Sequence, residues 1–301
     1  MTGVNRDHPP AIPGVRFDRI VGRGGMATVW RAWHEELGKT VAIKVLDPDF
    51  AATGQDVRRF MLEVRTMCEL DHPGIVRGYD ADCIGGRYYF VMDFVDGYTL
   101  ATHLARKTRL TWEDAVIICE TVADALDYAW QNFRLVHCDL KPDNLMVGRD
   151  GLVRILDLGL CQSTASLRRS SDRSDEIIGT PAYISPEQVQ GGVELDCRAD
   201  IYSLGASLYH LVTGRMPFPL LSNEDMVRAH VDPRRQAPDP RRFVPKLPEG
   251  FVRLLAGMLV KDRAWRYTTW RDVLDAFLVF DRGGLIPPLP DAAVSTLGIG
   301  L

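Results

Sequence analysis

The sequence predicts an α+β protein in two lobes, a small strand-rich one with a single helix followed by a larger helical one. Three observations carry this. The first third holds short apolar runs rich in β-branched and aromatic residues. Among them lies one helical pattern. The rest of the chain holds long apolar-striped patterns of helical period. A strand-rich part followed by a helical part is the order of an α+β architecture, and a nucleotide cleft between lobes is its natural site.

In chain order, residues 1–14 come first, are Pro- and Gly-rich and read as a flexible segment. Val41 to Leu46 and Tyr88 to Phe94 read as strands. Between them, Val57, Phe60, Val64, Met67 and Leu70 recur every three or four residues, so 55–70 reads as a helix. Further helices are expected over 112–130, 200–214, 251–260 and 268–280. The body ends near Asp281, and the Pro- and Gly-rich 282–301 reads as a tail. No internal repeat or long low-complexity tract is present.

Composition narrows the function classes. Of 301 residues, 46% are hydrophobic and 25% charged, ordinary for a globular chain able to bury a sizeable core. A formal charge of −4 gives no electrostatic reason to expect nucleic acid or an anionic membrane as partner. The 6 cysteines form no C-x-x-C pair and are too sparse for a disulfide framework. No stretch reaches the roughly 18 apolar residues of a membrane helix, and no signal-peptide apolar run opens the chain. A reducing, cytoplasmic setting is expected.

Gly22-Arg23-Gly24-Gly25-Met26-Ala27-Thr28-Val29 fills a G-x-G-x-x-(G)-x-V frame. Glycines let backbone N–H groups approach phosphate oxygens with no Cβ in the way. Alone, the frame fits a plain tight hairpin as well. The residues from Thr28 onward are strand-like, which disfavours a dinucleotide-binding βα turn, and no Gly-Lys-Ser/Thr makes it a Walker loop. Val41-Ala42-Ile43-Lys44 adds weight, because a lysine there can pair with the α- and β-phosphates. Glu63, on the helix of this lobe, is the carboxylate expected to hold Lys44.

Downstream, His137-Cys138-Asp139-Leu140-Lys141-Pro142-Asp143-Asn144 spaces Asp139 and Asn144 as a base and a metal ligand. Asp157-Leu158-Gly159 then ends an apolar strand, with a carboxylate suited to magnesium between phosphates. The ordered set is far more specific than any fragment.

With these motifs the chain resembles the protein-kinase family, most closely the eukaryotic-like Ser/Thr kinases of bacteria, over about residues 15 to 281. The resemblance also rests on Gly179-Thr180-Pro181-Ala182-Tyr183-Ile184-Ser185-Pro186-Glu187, on the Asp200 segment and on Lys261 to Arg266. It implies a bilobal kinase fold with N-lobe about 15–92, hinge about 93–97 and C-lobe about 98–281. It implies that ATP is bound at Gly22, Gly24, Gly25, Val29, Ala42, Lys44, Met92, Asp93, Val95 and Met146, with Met92 as gatekeeper and Val29, Ala42 and Met146 around adenine. Asn144 and Asp157 would hold magnesium or manganese. Asp139 would act on the acceptor hydroxyl, and Lys141 on the γ-phosphate. Glu187 would pair with Arg266, and Asp200 would hold the catalytic loop. Lys141 and Thr180 point to serine or threonine as acceptor.

The implied function is transfer of the γ-phosphoryl group of ATP to Ser/Thr hydroxyls of protein substrates, the chain itself included. Implied phosphosites are Ser170, Ser171, Ser174 and Thr180. The implied partners are protein substrates and a homodimer for autophosphorylation, with no nucleic acid and no membrane segment. Two rivals are weighed. A pseudokinase scaffold would have lost Lys44, Asp139, Asn144 or Asp157, and all are present. A small-molecule phosphotransferase would lack the Ser-Pro-Glu segment and its later arginine, and both are present. Three positions depart from the family pattern: Ala27 for a glycine, Leu158 for Phe, and Cys138 for the Arg before the catalytic Asp. Cys138 removes a phosphate-binding guanidinium, so loop phosphorylation is expected to control activity only weakly. The plainer reading is that Cys138 fills space as a small apolar residue.

Overall fold

The structure, a computed structural model, describes residues 8–24, 27–47, 61, 64–156, 180–219, 222–290, 293 and 299. The chain forms two compact units, Met1–Asp96 with Asp157–Gly159, and Gly97–Leu156 with Leu160–Leu301.

The first unit is built on a five-stranded antiparallel sheet of order β1-β2-β3-β5-β4. Its strands are β1 (Val15–Arg23), β2 (Ala27–His34), β3 (Lys39–Leu46), β4 (Gly78–Ile84) and β5 (Arg87–Asp93). Successive strand residues point to opposite faces. One face packs Trp30, Ala32, Val41, Ile43, Val45, Tyr89 and Val91 into a buried core. Ile12, within the Pro-rich 1–14 segment, joins that core. The β4–β5 link is the two-residue turn Gly85-Gly86, both at positive φ, a conformation that glycine adopts without steric cost. The expected helix appears as α1, whose described residues are 61 and 64–69, with Val64, Met67 and Leu70 buried.

The second unit is mainly helical. A small sheet, β6 (Gly97–Thr99), β7 (Leu145–Gly148) and β8 (Val153–Ile155), carries the chain past the catalytic loop. Helices α2 (Leu100–Lys107) and α3 (Trp112–Phe133) open on Thr99 and Thr111, whose hydroxyls accept N–H groups of the first turn. Beyond α4 (Pro186–Gln190) comes α5 (Cys197–Thr213), buried nearly all round, as an apolar helix in a large core must be. At Gly205 of α5 a Cβ would lie 2.8 Å from Met258 Cβ, so only glycine lets α7 (Glu249–Met258) approach this closely. Between them runs α6 (Asn223–Val231), and α8 (Trp270–Asp281) closes the unit against α3. In the 282–301 segment, Ile286, Ala293 and Ile299 are buried. Arg253 donates to the Ile286 carbonyl at 3.0 Å, and Ile299 bridges Ala237 in parallel. Among the described residues no helix is long and apolar enough to cross a membrane.

Candidate active site

In the sheet unit, register alone gathers the predicted nucleotide residues. Val29 lies opposite Lys44, and Ala42 opposite Met92. Lys44 and Ala42 are two apart on β3, so Val29, Ala42, Lys44 and Met92 share one face. That face is the reverse of the one bearing Val41, Ile43 and Val45 in the apolar core. Gly22 and Gly24 flank the strand turn, and Gly24 N–H donates to Ala27 O at 2.9 Å. A Cβ at either glycine would meet only ordinary contacts, at 3.7 Å or more. Packing against the described residues therefore does not require glycine there. The bare backbone leaves room that a phosphate could fill. Asp93 directs its carboxylate to Lys39 at 2.7 Å and to the Tyr79 hydroxyl at 2.7 Å, and its N–H donates to the Arg77 carbonyl at 2.9 Å. Val95 is buried, and Met146 lies on β7 of the other unit.

In the helical unit, the loop from His137 to Asn144 brings four of the predicted residues together. Lys141 Nζ donates to Asp139 Oδ2 at 2.7 Å and to Thr180 Oγ1 at 2.6 Å. Thr180 Oγ1 donates to Asp139 Oδ1 at 2.7 Å. Asn144 Nδ2 donates to the Asp139 carbonyl at 2.8 Å. With its amide nitrogen so committed, its amide oxygen is the end left for a cation.

Asp200 on α5 holds this loop from below. Its two carboxylate oxygens accept the His137 and Cys138 N–H groups at 2.6 and 2.8 Å. Burial raises its pKa to about 6, against the pull of His137 and of the two N–H groups. Cys138 has φ 65, a left-handed conformation uncommon for a non-glycine residue. Asp200 on its N–H and Gln188 Nε2 on its carbonyl, at 2.7 Å, fix that turn. The Cys138 side chain is buried with Val136, Leu195 and Ala199 against Trp130. This packing supports the space-filling reading of the residue.

Glu187 and Arg266 form the expected pair, at 2.6 and 3.1 Å, both buried. Arg266 also donates to the carbonyls of Arg198 at 2.6 Å and Val260 at 2.9 Å. Such bidentate geometry is what makes a buried ion pair tolerable. Gly25, Glu63, Asp157, Ser170, Ser171 and Ser174, with Leu158 and Cys161, lie outside the described residues. Among the described residues no three His, Cys, Asp or Glu side chains converge as a metal cage. A magnesium ion bound through one or two side chains plus substrate phosphates needs no such cage. Sequence reasoning missed Gln188. Its signal was present, since Ser185-Pro-Glu-Gln188 is a capping box, with Gln188 Oε1 accepting the Ser185 N–H at 3.1 Å. It also missed Tyr183 and His210, joined at 2.7 Å just past Thr180, for which no local pattern exists.

Comparison with known proteins agrees with this geometry. The protein kinase domain family matches residues 15–278. The serine/threonine-protein kinase PrkC of Bacillus subtilis is 34% identical over 255 residues, 85% of this chain and 38% of the relative. The probable serine/threonine-protein kinase PknB of Bifidobacterium longum is 32% identical, covering 92% of this chain and 41% of that protein. This chain thus spans well under two thirds of their length. The crystal structure of the Mycobacterium tuberculosis PknI kinase domain superposes with a TM-score of 0.68 at 27% identity, covering 91% of this chain and 98% of that one. The α+β, two-lobed reading of the sequence therefore holds.

Proposed function

The chain belongs to the protein kinase family, and from that premise we propose that it transfers the γ-phosphoryl group of ATP to serine and threonine hydroxyls of proteins. One observation carries the reading. A threonine hydroxyl, that of Thr180, already donates to the Asp139 carboxylate at 2.7 Å. That is the contact an acceptor hydroxyl needs, and a carboxylate has lone pairs to spare for a second donor.

In this reading Asp139 orients the acceptor oxygen and takes its proton as the oxygen attacks phosphorus. Lys141, already bonded to Asp139, neutralises charge on the transferred group. Lys44 holds the α- and β-phosphates against the Gly22 and Gly24 backbone, with Glu63 as its partner. Val29, Ala42, Met92 and Met146 line the adenine, and the backbone of Asp93 and Val95 supplies its polar contacts. Asn144 and Asp157 would hold magnesium or manganese, which supplies charge neutralisation between phosphates. Thr180 is better assigned to positioning than to modification, because a phosphate on Oγ1 would remove the proton that Asp139 accepts. Ser170, Ser171 and Ser174 remain the proposed autophosphorylation sites, each within two residues in sequence of an arginine that a phosphate can pair with. Autophosphorylation between two copies, in the cytoplasm where ATP is available, completes the proposal. We take residues 15–281 as the catalytic domain.

The test is incubation of the purified chain with labelled ATP and magnesium or manganese, followed by phosphosite mapping. Label on serine or threonine, including positions 170–174, is the expected result. Label on tyrosine alone would overturn the acceptor assignment. Absence of transfer would leave a nucleotide-binding scaffold as the better reading.

A further inference from the structure

Cys138 precedes Asp139 with φ 65. Thr108 and Arg134, the other non-glycine residues at positive φ among those described, cap helix C-termini, where a positive φ is ordinary. Cys138 lies inside a loop instead. A left-handed non-glycine backbone there persists only where its surroundings over-determine it. Three hydrogen bonds do so. The Cys138 N–H donates to Asp200 at 2.8 Å. Beyond the Cα, the planar peptide unit joining Cys138 to Asp139 is held on both sides. Its N–H, that of Asp139, donates to His137 Nδ1 at 3.3 Å. Its carbonyl, that of Cys138, accepts from Gln188 Nε2 at 2.7 Å, the shorter of the two bonds.

Neighbouring groups settle which way the Gln188 amide points. The Ser185 N–H donates to Oε1 at 3.1 Å, and Ser185 Oγ donates to it at 2.9 Å. A backbone N–H can only donate and a carbonyl can only accept, so the oxygen faces Ser185 and the nitrogen faces Cys138. Both sides of the amide select the same orientation. Gln188 also stands on a fixed base, because its neighbour Glu187 is paired with Arg266 in the core. At the other end of the same segment, Thr180 Oγ1 donates to the Asp139 carboxylate. The segment from Thr180 to Gln188 therefore grips Asp139 twice, by its carboxylate and by the peptide unit before it.

We infer that Gln188 is a positioning residue for Asp139. Its amide N–H fixes the Cys138–Asp139 peptide plane, and with it the direction in which the Asp139 carboxylate meets the acceptor hydroxyl. The link runs from a neutral amide to a carbonyl, so it is complete without a phosphate on the loop. That accords with Cys138, whose own side chain offers a phosphate no cation. The effect on turnover rests on the kinase reading. The hold on the peptide plane does not.

The test uses the full chain and two substitutions with opposite side effects. Gln188→Glu keeps an oxygen for both Ser185 donors, and so keeps the capping box, but its carboxylate has no N–H for Cys138. Gln188→Met adds no charge and loses cap and tether together. The acceptor is a synthetic peptide of residues 165–175, or the chain itself where the peptide takes no label. In both variants the rate at saturating ATP should fall about tenfold while the KM for ATP moves less than about twofold, the split expected when the group acting on the acceptor is displaced. The fall should be the same before and after phosphatase treatment. A fall in Gln188→Met alone would reduce Gln188 to a helix cap, and a fall in Gln188→Glu alone would be the work of the added charge. Either result overturns the inference. A fall confined to the phosphorylated enzyme would overturn the phosphate-free link. Hydrogen exchange of the Asp139 amide, which belongs to the same peptide unit and needs no activity, should quicken about tenfold in Gln188→Met, with exchange within α3 unchanged. Unchanged exchange at Asp139 would overturn the hold. If the wild-type chain labelled neither acceptor, the kinase reading would fall, and the exchange result would still decide the hold on the peptide plane.

Discussion

In the sheet unit, Val29, Ala42, Lys44 and Met92 share a face because strands alternate and their register aligns them. In the helical unit, Asp139, Lys141 and Thr180 stand on irregular backbone and Asn144 ends a single 3-10 turn, and the four are held by hydrogen bonds to one another. A residue placed by register can be replaced without moving its neighbours. A residue placed by a buried polar network cannot, because removing one partner leaves another unsatisfied. The two regions should therefore answer mutation differently: chemistry alone fails in the first, chemistry and stability together in the second.

The largest expected effect is at Asp200. Asp200→Ala leaves the His137 and Cys138 N–H groups without acceptors and releases a backbone held at φ 65. Two stranded donors at about 1–3 kcal/mol each predict a loss of roughly 2–6 kcal/mol, read as a lower midpoint in urea with an unchanged slope. A loss under about 1 kcal/mol would break the comparison.

Gly24→Ala should do the reverse. With only the Ala27 carbonyl, at 3.7 Å, near an added Cβ among the described residues, the variant should gain about 0.4–1 kcal/mol through a stiffer unfolded chain. Its KM for ATP should nonetheless rise, because the methyl group occupies the phosphate approach. A fall in stability would show that the glycine serves the fold instead. Lys44→Met, on the same sheet, should lose turnover while its stability stays within about 0.5 kcal/mol of wild type.

The smallest effect is a slope. His230 has a native pKa near 3 against an ordinary 6.5, so the unfolded chain binds more protons in between. Stability from this group is present above 6.5 and is lost as pH falls towards 3. Asp200, raised to about 6 from 3.8, acts in the opposite sense over that narrower window. Melting temperature should therefore fall less steeply between pH 6.5 and 3 in His230→Phe than in wild type.

The features legible in the sequence are those that rest on local spacing. The distance from Asp139 to Asn144 and the alternation of Val41 to Leu46 are such patterns. So is the Ser185 to Gln188 capping box, although its link to the Cys138 carbonyl is not. Ile12 was illegible because a single apolar residue between prolines has no period. Ile286 and Ile299 were hidden the same way, since only the tertiary surface at Arg253 and Ala237 gives them a place. His230 and Lys261 lie far apart in sequence, and each alone resembles an ordinary surface residue. Their burial comes from α5, α6 and the chain after α7 meeting in space. The role of Cys138 could not be read from its identity, because its direction depends on a backbone turn fixed by Asp200 and Gln188.

The central claim is that Asp139 acts on the acceptor hydroxyl and not on the nucleotide. It is tested most directly by comparing wild type with Asp139→Asn for phosphoryl transfer and for ATP binding in the same buffer with magnesium. The account predicts that transfer falls by about 100-fold or more, the contribution of a positioned general base, while the Kd for ATP stays within about threefold. Full transfer activity in the variant, or ATP binding lost along with it, would contradict the account.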